Sequence, residues 1–217
     1  LIDGGSALSG MNDVVPYLRE NEIPDTLDYM IVTHKHGDHY QGLIHIMGDG
    51  FDALNILDNG SNETYDPVFY DAANRTSSQG IRAIEVGQVI ELGDQAKITC
   101  VAANGQVINH GQVDRVTTEN DRSVCLLLQY GAFDCLLMGD AGGGYDPDVG
   151  HCRRTADIET ALINVLIFGD ADVSIPENGI EILKVGHHGD FGSTNSYFMN
   201  SLSPMISCIS VGENVPQ

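Results

Sequence analysis

Residues 28–43 constrain this chain more than any other stretch: Asp28-Tyr-Met-Ile-Val-Thr33-His34-Lys35-His36-Gly37-Asp38-His39-Tyr40-Gln41-Gly42-Leu43. The apolar and β-branched run at 29–33 has the composition of a buried strand. It runs into His34, His36, Asp38 and His39, four metal-ligand side chains within six residues. Imidazole and carboxylate are the donors that borderline divalent cations such as zinc prefer. His34 and His36 are two apart, so on an extended strand end they point to one side. Asp38 and His39 follow across a turn, where they can face a second ion. With no metal to share, each of these crowded polar groups would need another partner. Gly42 and the apolar residues after it predict a helix over 41–47, with His45 beyond the cluster.

A chain of 217 residues fits one domain spanning 1–217, long enough for a sizeable core, and 42% hydrophobic residues support a globular fold. The net charge is -21, with 31 acidic residues against 10 basic. Such a surface repels nucleic acid at long range and offers no phosphate-neutralising stripe, which argues against tight, non-specific binding of long duplexes. It leaves room for an anionic substrate at a site holding two divalent cations, which bring about four positive charges. No apolar run approaches the roughly 20 residues of a membrane span, and nothing at the N-terminus reads as a signal peptide. The opening Leu1-Ile2-Asp3-Gly4-Gly5 reads as a strand end entering a turn, so upstream residues are expected to be missing and localisation is open. Five cysteines, an odd number with no Cys-x-x-Cys pair, suggest neither a disulfide framework nor a structural zinc site. Cys100, Cys125, Cys135 and Cys208 lie in apolar runs and read as small buried hydrophobes.

Along the chain, 13–20 reads as a short helix that tolerates Pro16 near its first turn. Strands are expected at 51–57 and 81–86, a helix between them at 66–79, and a hairpin over 86–101 turning at Leu92-Gly93-Asp94. The polar stretch 104–122 reads as a loop near the site. The runs 123–130 and 133–138 are the most apolar of the chain, as for strands covered on both faces. The second ends in Met138-Gly139-Asp140, and a carboxylate at the end of a buried strand beside glycines is a metal-bridging candidate. Residues 142–154 form an irregular insertion carrying His151 and Cys152, read as a surface loop. A helix capped by Thr155 is expected over 155–168. At 180–192 another apolar run ends in His187-His188. His187, the first after the strand, is the expected partner of Asp140 on a second ion, with His188 a substrate donor or general acid; the two roles can be exchanged. A helix at 193–202 and a strand at 204–212 close the pattern.

His-x-His-x-Asp-His after an apolar strand resembles the metal-binding motif of the metallo-β-lactamase superfamily. Asp-Gly-Gly at 3–5, Val-Pro-Tyr-Leu at 15–18, Asn120-Asp-Arg-Ser123-Val, Leu-Leu-Met-Gly-Asp at 136–140, Leu-Lys-Val-Gly-His-His-Gly at 183–189 and Ile-Ser-x-Gly-x-Asn at 209–214 narrow the resemblance. Together they resemble the hydrolase domain of the ComEC-type competence proteins and its free-standing relatives, over nearly the whole chain. The resemblance implies an α/β fold, an αββα sandwich of two mixed sheets flanked by helices, with a two-metal site at one edge. It implies a supporting role for Asp3 behind the first metal-binding histidines, as an imidazole oriented by a carboxylate requires. It departs from the superfamily in one place: a further histidine is expected before the bridging Asp, where this chain has Asn120 and Ser123. His110, in the same polar stretch, could substitute.

The implied metal ligands are therefore His34, His36, Asp38, His39, Asp140 and His187, with Asp38 and His188 in catalytic roles. The cofactors are two divalent ions, zinc first, with manganese and iron admitted by the donor set. Two ions about 3.5–4 Å apart lower the pKa of a shared water towards 7 and stabilise the developing oxyanion. That machinery serves phosphodiesters, lactams, lactones and thioesters alike. The ComEC-type resemblance favours a phosphodiesterase or nuclease acting on a small-molecule phosphodiester or single-stranded nucleic acid. The alternatives are a hydrolase of carboxylic esters and lactams, and a non-catalytic binding module.

Overall fold

The computed structural model describes residues 1–144, 155–169, 173–176 and 179–212. His151 and Cys152, expected in a surface loop, lie outside them. The chain divides into two compact units, 1–84 and 85–217.

In the first unit, β1 (Thr26–Ile31), β2 (Asp52–Asp58) and β3 (Ile81–Ala83) form a three-stranded sheet in which every pair is parallel. Its crossovers carry α3 (Gly37–Gly48) and α4 (Pro67–Thr76), following the helical segment made by α1 (Ala7–Ser9), a π turn (Gly10–Val14) and α2 (Val15–Glu20). The helix expected at 13–20 thus begins six residues earlier. Pro16 has no N–H to return to the preceding turn, and the wide π turn just before it absorbs the mismatch. α3 also begins earlier than expected, at Gly37 and not at Gly42, because Asp38 in its first turn meets the positive helix end. Asp66 caps α4 by accepting from Val68 N at 2.8 Å, with Pro67 at the first helical position. Met30, Leu43, Ile46, Phe51, Ile56 and Phe69 fill this unit's core.

Gly42 locks α3 against the first residues of the chain. A Cβ built there would lie 1.9 Å from the carbonyl oxygen of Gly4, a separation no side chain accommodates. Gly42 N donates to Gly5 O, and Gly4 N to His39 O. The glycine is therefore a packing residue inside the helix, where a helix start was expected.

The second unit is an eight-stranded mixed sheet. Its strands are β4 (Val89–Leu92), β5 (Ala96–Ala103), β6 (Gln106–Val107), β7 (Gly111–Gln112), β8 (Cys125–Tyr130), β9 (Phe133–Leu137), β10 (Ile182–Lys184) and β11 (Ile206–Cys208). β8 and β9 form the antiparallel centre, and β9, β10 and β11 run parallel. The polar stretch 104–122 contains the small β6–β7 hairpin and a 3-10 turn, Asn120–Arg122, where a loop alone was expected. α5 (Ile158–Leu166) and α6 (Ser196–Leu202) complete the unit. The cap of α5 is Asp157, which accepts from Thr160 N at 3.0 Å. Thr155, the expected cap, instead donates to Gly192 O, because the helix starts one turn later than its apolar periodicity suggests. Leu127, Leu136, Leu162, Leu183 and Phe198 lie at the centre of this unit's core. Among the described residues no helix is long and apolar enough to cross a membrane.

Candidate metal centre

Parallel strands leave a sheet at the same edge, and ligands gather beyond the carboxyl ends of such strands. In the first unit the motif residues follow β1 and the turn 58–61 follows β2 at that edge. His34 is fully buried, and its Nε2 lies 3.1 Å from Nδ1 of His36. Two imidazole nitrogens facing each other at this distance form a pair of donors converging on one point. His39, on the first turn of α3, packs its ring 4.0 Å from that of His34. Its Nδ1 lies 2.7 Å from Oδ2 of Asp3. An ionised carboxylate can only accept, so Nδ1 carries the proton and Nε2 keeps its lone pair for a ligand. Asp3 also accepts from Thr33 N and Thr33 Oγ1, both at 2.8 Å, and holds a left-handed φ of 52°, which short polar residues tolerate. The supporting carboxylate thus stands behind His39, where the first histidines of the motif were expected. Asp38 has a side chain 58% exposed, with Oδ2 4.0 Å from His39 Nε2.

Lys35, between the two motif histidines, points away from them. Its ammonium lies 3.1 Å from Asp58 Oδ2, both side chains nearly buried, and donates to Ser61 O at 2.7 Å. Tyr65 OH donates to the same Asp58 oxygen at 3.1 Å. This network ties the motif loop to the turn after β2. A lysine flanked by ligands is its only sequence signal, and one easily read as solvated.

The second unit gathers its candidates in the same way. Asp140 follows β9, His187 and His188 follow β10, and Asn120 and Ser123 precede β8, which is antiparallel to β9 and so begins where β9 ends. Asp140 is 3% exposed, and its N–H donates to Ser123 Oγ at 3.0 Å. The lysine Nζ of Lys184 donates to Gly139 O at 3.0 Å and lies 4.0 Å from Asp140 Oδ1. The structure brings His188, and not His187, to Asp140: His188 Nε2 is 3.5 Å from Asp140 Oδ2. His188 Nδ1 donates to Ser210 O at 2.6 Å, which again leaves Nε2 with its lone pair. His187 turns to other partners. Its Nε2 is 2.9 Å from Asn120 Nδ2, its Nδ1 is 3.5 Å from Asp190 Oδ2, and its N–H reaches Gly139 O. Both histidines adopt left-handed backbone, with φ of 44° and 53° between Gly186 and Gly189. That turn reverses the order in which the two rings meet the strand end, which is why the residue nearer the strand is not the one beside Asp140.

His110 is exposed in the β6–β7 turn, its N–H bonded to Val107 O. Asn120, in the stretch where a further histidine was expected, places its amide on His187. Its Oδ1 is buried and, among the described residues, has no hydrogen-bond partner. Ser210 acts through its backbone carbonyl, so no side-chain pattern could have announced it. Each unit therefore presents nitrogen and oxygen donors of the kind that hold borderline divalent cations, with Nδ1 of His39 and of His188 already committed to second partners. The donor set fits such ions.

Comparison with known proteins agrees. The chain is 26% identical over 206 residues to ComE operon protein 3 of Bacillus subtilis (strain 168), covering 94% of this chain and 22% of that protein. It thus spans about a fifth of the relative's length. Among solved structures it is similar to the metallo-beta-lactamase SMB-1 bound to 2-mercaptoethanesulfonate (16% identity, 93% of this chain and 80% of that one, TM-score 0.49). It is also similar to a diphosphatase from the PhnP family (14% identity, 95% and 66%, TM-score 0.47). The family model for the beta-lactamase superfamily domain matches residues 1–193. With its α/β architecture of two sheets flanked by helices, and its kinship to the ComE-type protein, this chain belongs to the metallo-β-lactamase superfamily.

Proposed function

We propose that this chain is a metal-dependent phosphodiesterase, and that both units contribute to one hydrolase domain across 1–217. The observation that carries the reading is the shared preparation of two imidazoles. His39 and His188 each give their Nδ1 proton to a fixed acceptor, Asp3 and Ser210 O, and so keep Nε2 as a ligand atom. In this reading the first unit would offer His34, His36, Asp38 and His39 as ligands to divalent cations, and the second unit Asp140 and His188. His187 takes the donor role that the sequence left exchangeable. When bound, a pair of divalent cations neutralises the scissile phosphate and acidifies water; zinc is the first candidate, then manganese or iron.

The chain's own residues do the rest. Asp38, the exposed carboxylate of the motif, orients the attacking water and accepts its proton. His187, held at Nδ1 by Asp190, takes the donor role at Nε2 when the departing oxygen displaces the Asn120 amide and the ring is protonated. Lys184, with Nζ 4.0 Å from Asp140 Oδ1, and the bond from Asp140 N–H to Ser123 Oγ hold that carboxylate in place. Support for a phosphodiester over a carboxylic ester comes from the ComE-type kinship and from the positive charge that bound cations would bring to one place in an otherwise acidic molecule. The net charge of -21 favours short or small diesters over long duplexes.

The test is hydrolysis of bis-p-nitrophenyl phosphate beside a chromogenic cephalosporin, on protein stripped of metal and then given zinc or manganese. Metal-dependent turnover of the diester, abolished by His36→Ala, is expected. Turnover of the lactam alone would overturn the reading.

A further inference from the structure

A cavity of about 340 Å³ opens in the second unit beside the histidine pair. Its lining includes Gly189, the residue after His188, with Asp190 and Phe191, and Val185, Met199 and Ile209 are among its apolar members. Asp190 meets the histidine pair directly, and Ile209 is the sequence neighbour of its backbone acceptor. Asp190 Oδ2 lies 3.5 Å from His187 Nδ1, and Ile209 precedes Ser210, whose carbonyl holds His188. A volume of this size suits one small organic group and not a polymer chain.

The wall of the cavity is held at several points. Buried Glu159, 0% exposed, accepts from Thr194 N and Asn195 N. Gly192 O accepts from Gly143 N at 2.8 Å and from Thr155 Oγ1 at 2.9 Å, and Ser193 Oγ donates to Gly186 O at 2.8 Å. On this pinned loop Phe191 stands 68% exposed, and Ile209 is 53% exposed. Leaving a benzyl ring in water on a loop with so little freedom is unfavourable unless the ring meets something apolar. Asp190 in the lining disfavours a second anionic group, and the apolar members Val185, Phe191, Met199 and Ile209 suit an uncharged one. A ring that is flat, apolar on its faces and uncharged satisfies both conditions.

We propose that this cavity is the subsite for the neutral aromatic portion of the diester, a nucleobase-like ring stacked on Phe191, and that Phe191 sets the preference for it. The inference rests on the phosphodiesterase reading for its reacting group, but the ring-binding part stands on the cavity alone. Base–aromatic stacking corresponds to roughly a 10-fold effect or more per ring.

Two measurements separate the subsite from the reaction. The first is turnover by metal-loaded protein of two diesters with the same leaving group, thymidine 5′-(p-nitrophenyl phosphate) and methyl p-nitrophenyl phosphate. Wild type should favour the nucleoside ester in kcat/KM by about 10-fold or more. Phe191→Ala should erase most of that ratio, chiefly through KM, and Phe191→Tyr should retain it. Equal turnover of the two esters by wild type, or an unchanged ratio in Phe191→Ala, overturns the subsite. The second is ligand-observed NMR of adenosine, which carries no phosphate, with metal-free protein. Line broadening that disappears in Phe191→Ala supports the subsite even if neither diester is hydrolysed, an outcome that sinks only the phosphodiesterase reading. No broadening with wild type overturns the subsite whatever the turnover.

Discussion

Asp3 Oδ2 and His39 Nδ1 lie 2.7 Å apart, which binds the start of the chain to the helix carrying the last motif histidine. The carboxylate accepts the hydrogen bond from Nδ1–H, fixes the ring and raises the basicity of Nε2. Replacing Asp3 by Asn leaves the volume but removes the charge and half of the accepting capacity. Asp3→Asn should weaken zinc binding by about 10- to 100-fold, measured by competition with a chromogenic chelator. Unchanged affinity would mean that His39 is not a ligand.

The two neighbouring histidines at 187 and 188 should fail differently. His188→Ala removes the imidazole beside Asp140 and should lower the metal content of the reconstituted protein from two equivalents towards one. His187→Ala should keep both equivalents and lose kcat by about 10²–10⁴-fold, the range of a lost proton donor. Elemental analysis after gel filtration reads the first effect, and steady-state kinetics the second. The reverse pattern would restore the assignment in which the residue nearer the strand binds metal.

Gly42→Ala puts a methyl group 1.9 Å from the Gly4 carbonyl oxygen, with backbone on both sides of the clash. Neither α3 nor the 3–10 segment can yield without moving Asp3 or His39. A loss of about 2–3 kcal/mol in urea unfolding is expected, at the upper end of overpacking costs, together with weaker metal binding. The substitution Gly48→Ala, where a Cβ meets nothing within 4 Å, is the matched control.

Asp157 gives a pH signature. Burial pushes its carboxyl above the ordinary value of 3.8, opposed by its hydrogen bonds to Thr160. A raised folded-state value means the native protein holds this proton more tightly than the unfolded chain. Its contribution to stability is therefore fully present below 3.8 and is lost as the pH climbs through the raised value. Asn caps a helix as well as Asp does and has no charge to bury. Asp157→Asn should become more stable relative to wild type between about pH 4 and pH 7, seen as a widening difference in Tm. A constant difference would exclude the linkage.

The cysteines should divide by burial. Desolvation pushes the Cys100 thiol up to about 12, the Cys125 thiol higher still, and the Cys135 thiol up to about 11, so none of them supplies thiolate at neutral pH. Cys208, on exposed β11, is open to solvent. Brief alkylation followed by peptide mapping should label Cys208 and spare Cys100 and Cys125. Equal labelling of all three would contradict the packing of β5 and β8.

The readings of Cys100, Cys125 and Cys135 as buried hydrophobes hold, while that of Cys208 does not, because β11 lies at the sheet edge and a short apolar run looks the same at an edge as in a centre. The same distinction separates what could be read elsewhere. Strands β1, β2, β5, β8 and β9 were legible because alternation and β-branched runs are local properties. The motif from His34 to His39 was legible because its ligands are close in sequence. The order of His187 and His188 was not, since it depends on a left-handed turn that no propensity favours for histidine. Nor were the Lys35–Asp58 pair and the Ser210 carbonyl, which arise from strands meeting at one edge after long separations in sequence.

The two left-handed residues after β10 have a consequence for anyone redesigning this scaffold. Non-glycine residues in that region each cost on the order of 1 kcal/mol or more, and here they stand in succession. Glycine at either position would relax the backbone and be scored as an improvement by any criterion of thermal resistance. It would also delete an imidazole. Selection for heat tolerance alone should therefore drift towards glycine at 187 and 188, and libraries built for robustness need those two positions held fixed.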